Sequence, residues 1–140
     1  NLYFPNELGD AYGSLAQNYP GENNTVECYV STLDSYVKSN NINQVDFIKM
    51  DVEGAELRVL EGGQKLIKAN KPILAIELHE VLYKYFNYST CDLIDFLTNC
   101  NYYIFGLNKK GVFQVNTRSN IESRLIFCMT KEQANEKGLL

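Results

Sequence analysis

Apolar residues in this chain gather in short runs set off by polar turn formers, and the densest grouping lies between residues 45 and 79. Residues 45–51 (VDFIKMD) are mostly apolar and end in a carboxylate, Asp51. Glu53-Gly54-Ala55-Glu56 then leads into a helical pattern with Leu57, Leu60 and Ile67 on one face. Gly62-Gly63 falls inside that pattern, and each glycine costs about 1 kcal/mol in a helix interior. The pattern therefore divides into helices near 54–60 and 64–69. Lys71-Pro72 stops it, and residues 72–76 (PILAI) form a second apolar run that leads to Glu77 and His79. Two short apolar runs around a helix predict a βαβ unit in a parallel sheet covered on both faces.

The flanking chain is read in the same way. Residues 1–24 form an irregular lead-in, with at most a short strand near 2–4; it reads either as a surface loop or as part of the rim over a ligand cleft, with Ser14 and the aromatics placed to touch substrate. Val26, Cys28 and Val30 alternate with polar neighbours, which predicts a strand over 25–30. Ser31 or Thr32 caps a helix that ends at Asn40, with Asp34 favoured in its positive first turn. Residues 80–88 carry Tyr83, Tyr85, Phe86 and Tyr88. They read as a packed loop or short helix, or as a wall for an apolar or sugar-like acceptor. A helix capped by Ser89 or Thr90 runs to about residue 100. A strand at 102–107, a turn at 108–111 and a strand at 112–115 predict a hairpin. Residues 118–121 read as a loop, 124–129 as a last strand apolar enough to be central, and 131–140 as a polar, frayed or weakly helical tail.

Composition narrows the classes. At 140 residues with 45% hydrophobic and 21% charged positions, the chain is a single domain with one modest core. The net charge of −4 argues against a nucleic-acid partner, which requires a basic face. No apolar run approaches the ~20 residues of a membrane span. Cys28, Cys91, Cys100 and Cys128 fit no metal-ligand spacing and read as free thiols of a reducing compartment, so the cytoplasm is the expected location.

In parallel sheets ligands bind beyond the carboxyl ends of the strands, and Asp51, Glu53, Glu77 and His79 fall there. Asp51 either caps the following helix through the N–H groups near Gly54 to Glu56 or faces a ligand. Glu53 is a candidate for binding a hydroxyl or accepting its proton. Glu56 is read as a structural charge at a helix start. Glu77 and His79 alternate along the chain and point to one side, so the glutamate is expected to orient the ring and raise its basicity. Asp51, Glu53 and Glu77 also form a set of hard oxygen ligands. Nothing in the sequence separates such a set from a metal-free acidic cleft, and no metal is assigned.

IKMDVEGAE at 48–56, LRVLEGG at 57–63 and PILAIELHE at 72–80 together resemble the core signature of FkbM-type methyltransferases. The resemblance implies an α/β, class I methyltransferase (Rossmann-like) sheet that closes with an antiparallel hairpin. It implies S-adenosylmethionine as cofactor and methyl transfer to a hydroxyl of a sugar, glycolipid or natural product. Asp51 resembles the family position facing the transferable methyl group, which makes it the expected cofactor contact. Only the carboxyl-terminal portion of such a domain is matched. The family's glycine-rich loop after the first strand and its acidic residue after the second are absent from this sequence. The cofactor-binding half is thus expected to be missing and the isolated chain inactive. The alternative is a non-catalytic fragment or degenerate domain serving in assembly or partner binding. Without its neighbouring strand, 45–51 is expected either to pair with a second copy, giving a homo-oligomer, or to be covered by residues 1–20.

Overall fold

The computed structural model describes residues 2–5, 13–15, 23–115, 121 and 123–140. Strands β1 (Leu2–Pro5) and β2 (Asn23–Val26) pair antiparallel as a separate two-stranded ribbon. The remaining strands are β3 (Phe47–Met50), β4 (Ile73–Glu77), β5 (Tyr103–Asn108), β6 (Gly111–Gln114) and β7 (Leu125–Met129). They form one sheet in the order β3-β4-β7-β5-β6. β3 and β4 are parallel, β7 runs antiparallel to both β4 and β5, and β5 and β6 make the expected hairpin.

Between β3 and β4 the chain forms α2 (Glu56–Gly62) and α3 (Gln64–Asn70), broken at Gly63 as the glycine pair predicts. A Cβ on Gly63 would lie 2.8 Å from Leu33 Cδ2, so the glycine lets α1 (Leu33–Ser39) pack closely here. α3 has no cap of its own at Gly63. Instead the Asp34 carboxylate accepts from the backbone N–H of Lys65 at 3.1 Å and of Leu66 at 2.9 Å, supplying the cap from α1. Lys71 ends α3 in the left-handed region (φ 49°), and Pro72 prevents continuation. After β4 come α4 (Glu80–Tyr83) with a 3₁₀ turn at Lys84–Phe86, and α5 (Thr90–Asn99), whose Ser89 and Asp92 form a capping box. The same device, Thr130 with Gln133, starts α6 (Lys131–Glu136), so of the two readings of the tail, frayed or weakly helical, the helical one holds over these residues.

Alternation along the strands sorts the two faces of the sheet. Leu74, Ile76, Ile104, Ile126 and Cys128 point to the main core with Leu57 and Leu60 of α2, Ile67 of α3, and Leu93, Ile94 and Leu97 of α5. The other face holds Phe105, Met129 and Ala134, with Ile73, Tyr103 and Phe127 only partly buried beside them. The expectation of a sheet covered on both faces therefore holds for one face and in part for the other.

One further expectation is corrected. The strand expected at 25–30 begins earlier and stops at Val26, leaving Tyr29 and Val30 exposed. Its alternation buries nothing because β2 belongs to the detached ribbon. β1, the one strand in the lead-in among the described residues, pairs with β2 and not with β3. The outer edge of β3 is thus unpaired among the described residues, and Phe47 is 54% exposed there. The loop expected at 118–121 lies, apart from Ile121, outside the described residues, as does most of the lead-in.

Candidate active site

The carboxyl ends of β3 and β4 lie side by side, in register Met50 to Ile76, and the chain leaves each through a short turn. After β3 the turn closes with Ala55 N–H donating to the Val52 carbonyl at 3.2 Å. Its two central residues are both left-handed, Glu53 at φ 47° and Gly54 at φ 96°. At position 54 a Cβ would meet Leu82 Cβ at 2.7 Å and the Phe86 ring at 2.9 Å, so both backbone and packing require glycine. Glu53 is held in its less favourable conformation from outside. The buried Ser14 hydroxyl donates to the Glu53 carbonyl at 2.8 Å, and Tyr88 Oη lies 2.7 Å from the Gly54 carbonyl.

This turn places Glu56, the first residue of α2, in the interior with 0% exposure. Its carboxylate lies among hydrogen-bonding groups, with the single Tyr88 phenol proton shared between it and the Gly54 carbonyl. The Gly54 N–H lies 3.2 Å and His79 Nδ1 3.1 Å from Oε1, and Tyr88 Oη is 3.0 Å from Oε2. Burying a carboxylate is tolerable only with such satisfaction. Tyr88 stacks on Tyr83 with ring centroids 4.5 Å apart, and burial together with the Glu56 charge pushes both phenols upward. The sequence gives Glu56 a role as a helix-start charge. The fold makes it the partner of the one histidine in the chain.

His79 is buried at the start of α4, two residues beyond β4. With Nδ1 bound to Glu56, its Nε2 faces the strand ends. Glu53 Oε1 is 3.4 Å from Nε2, Asp51 Oδ1 3.8 Å, and Arg124 Nη2 3.1 Å. The hydrogen bond with Glu56 and the charges of Glu53 and Glu56 raise the His79 pKa above 6.5, against burial and Arg124, which lower it. Glu77 is not the carboxylate that orients the ring, contrary to the sequence expectation. It pairs with Arg124 Nε at 3.1 Å and lies 4.0 Å from Lys49 Nζ. Nδ1 of the ring is instead bound to Glu56, which follows the turn after the adjacent strand β3.

Asp51 is not a helix cap either, since the Gly54 N–H is taken by Glu56. Its carboxylate is 40% exposed and accepts from Lys49 Nζ at 2.8 Å, which holds its pKa below the usual carboxylate value. All four expected residues, Asp51, Glu53, Glu77 and His79, are therefore brought together, and Lys49, Glu56, Tyr88 and Arg124 join them. Asp51, Glu77 and His79 present ligand atoms within 4.8 Å of one another. Lys49 and Arg124 already neutralise two of these carboxylates, and the cluster is an ion-paired network of the chain's own groups. Arg124 arrives through β7, where the Leu78 N–H donates to its carbonyl at 2.7 Å. Only the sheet order reveals that proximity. A cleft of about 430 Å³ opens beside His79 and Arg124, lined also by Leu78, Val81, Ile121 and Ser123.

Among the described residues no helix is long and apolar enough to cross a membrane. No match is found among curated proteins or among solved structures. A family model, the methyltransferase FkbM domain, matches residues 2–104, which takes in every residue of the ion-paired cluster except Arg124. That span is well over half of the chain and contains the whole strand–turn–helix–strand unit that builds the cluster. The chain belongs to the FkbM methyltransferase family.

Proposed function

We propose that this protein is part of an S-adenosylmethionine-dependent O-methyltransferase acting on a hydroxyl of a sugar, glycolipid or natural product. The observation that carries this reading is the Glu56–His79 pair at 3.1 Å, whose other ring nitrogen faces the ends of β3 and β4 in a methyltransferase-family chain. Methyl transfer to an alcohol requires alignment of two atoms and removal of the hydroxyl proton. His79 Nε2 is the base that takes that proton. Glu56 fixes the ring with its proton on Nδ1 and stabilises the imidazolium that forms. Glu53 and Asp51 stand beside Nε2 to hold the acceptor's hydroxyl and to offset the new positive charge.

S-adenosylmethionine carries a sulfonium and an ammonium, and the partly exposed Asp51 carboxylate suits such a cationic end. When bound, it supplies the methyl group. The adenosine end finds no glycine-rich loop in this sequence, and the strand that would carry one would belong beside the edge of β3 that is unpaired among the described residues. In this reading the sheet is the carboxyl-terminal portion of a class I, Rossmann-like methyltransferase sheet, and the adenosine-binding loops come from residues outside these 140.

The test is calorimetric titration of S-adenosylmethionine and S-adenosylhomocysteine into this chain and into the longer protein that contains it, followed by a methyl-transfer assay. Binding and transfer by the longer protein are expected. Failure of both would favour the second reading, a non-catalytic domain that assembles through β3, which the exposed Phe47 edge supports.

A further inference from the structure

One nitrogen in the cluster is offered two incompatible partners. His79 Nε2 has Arg124 Nη2 at 3.1 Å and Glu53 Oε1 at 3.4 Å, with Asp51 Oδ1 next at 3.8 Å. A guanidinium only donates and an ionised carboxylate only accepts. Nε2 satisfies Arg124 when it carries a lone pair, and Glu53 or Asp51 when it carries a proton. Nδ1 offers no escape from the choice, because its N–H is directed at Glu56.

We propose that Arg124 and Glu53 are alternate partners of His79 Nε2, the guanidinium holding the unprotonated nitrogen and the carboxylate taking over once the nitrogen is protonated. Arg124 is then a positioning residue that keeps the base unprotonated and aimed until the acceptor hydroxyl displaces it. This inference rests on the reading of His79 as the base. On transfer, the acceptor O–H bond would break and its proton would form the new N–H bond at Nε2, while the oxygen's electron pair would bond to the methyl carbon as the methyl–sulfonium bond breaks and its electron pair stays on sulfur.

The two partners differ in the way such an exchange needs. The Arg124 side chain is 67% exposed and anchored through Nε to Glu77, so its far end turns outward without disturbing the core. Glu53 is 15% exposed and sits on the left-handed turn that Ser14 holds, so it is the stationary partner. The cleft of about 430 Å³ opens on the Arg124 side, lined by Val81, Ile121 and Ser123, and gives an acceptor its approach. The other groups around the ring are Glu56 at Nδ1, Glu77 and Lys49 behind Arg124 and Asp51, and the phenols of Tyr83 and Tyr88 beside Glu56. Of the groups at Nε2, Arg124 alone lowers the proton affinity of the ring.

The experiment is ¹⁵N-histidine NMR of the full 140-residue chain. His79 is its only histidine, so one ring is read without assignment. At pH above the titration the proton is expected on Nδ1, with Nε2 bare. Arg124→Ala is expected to shift the His79 pKa upward and Glu53→Gln to shift it downward, while both keep the Nδ1–H tautomer. Arg124→Lys, which keeps the charge, is expected to restore part of the shift, and it is read in place of Arg124→Ala if that variant does not fold. A proton on Nε2 of the free neutral ring overturns the proposal, as does a pKa left unmoved by both variants or moved by them in the same direction. No cofactor enters the measurement. A failure here leaves methyl transfer standing, and a failure of the transfer assay leaves the partner exchange standing.

Discussion

Glu56 and His79 stand 23 residues apart in sequence, yet the fully buried carboxylate of one lies 3.1 Å from Nδ1 of the other. Replacing Glu56 by Gln keeps the shape and removes the charge, which turns the ring's strongest proton-holding partner into a weak one. The His79 pKa is expected to fall, and methyl transfer to drop by about 10²-fold or more. Ring NMR and a methyl-transfer assay on the cofactor-binding form check the two effects separately.

The pH profile follows from the same pair. A base works only when deprotonated, and the His79 pKa is raised above 6.5 by Glu56 and Glu53. The rate is expected to climb as pH passes through that raised value and then level off. His79→Gln is expected to lose about 10²–10⁴-fold in rate together with this limb of the profile. A variant that retains the limb would show that another group is the base.

Stability runs the other way with pH. The folded-state pKa of His79 lies above its unfolded value, so the ring contributes stability that is fully present below about pH 6.5. That contribution is lost as pH rises through the folded pKa. Urea denaturation at a series of pH values is expected to show the decline in the native chain, and a flatter curve in His79→Gln.

Gly54→Ala tests the turn itself. The new Cβ would meet Leu82 at 2.7 Å in a backbone at φ 96°, so strain and overpacking add together. A loss of about 2 kcal/mol or more is expected, seen as a lower denaturation midpoint. Asp34→Ala, by contrast, removes the cap that α1 lends to α3 and the acidic residue of α1's own first turn, and is expected to cost about 1 kcal/mol by the same measurement.

Legibility in the sequence followed the range of the forces involved. Pro72, the glycine pair and the apolar runs act over a few residues, and they marked β3, β4, α2 and α3 closely. The cap of α6 was equally readable, since Thr130 and Gln133 have capping-box spacing, although the polar composition of the tail masked it. That Asp51, Glu53, Glu77 and His79 lie near one another was readable because they follow the ends of adjacent strands. Their pairings were not, because they depend on turns and on sheet order. Glu56 reaches His79 only through the left-handed turn at Glu53-Gly54, and Arg124 reaches it only because β7 lies against β4.

The placement of β7 also governs when the molecule becomes a molecule. The strand that enters the chain last among the seven sits in the middle of the sheet, between two strands synthesised before it. A chain emerging from the ribosome therefore holds β4 and β5 without the partner that joins them, and Ile76 and Ile104 stay without Ile126 and Cys128 to cover them. Pairings this distant in sequence are slow to close. Arg124, which leads into β7, therefore reaches His79 only once that strand is in place.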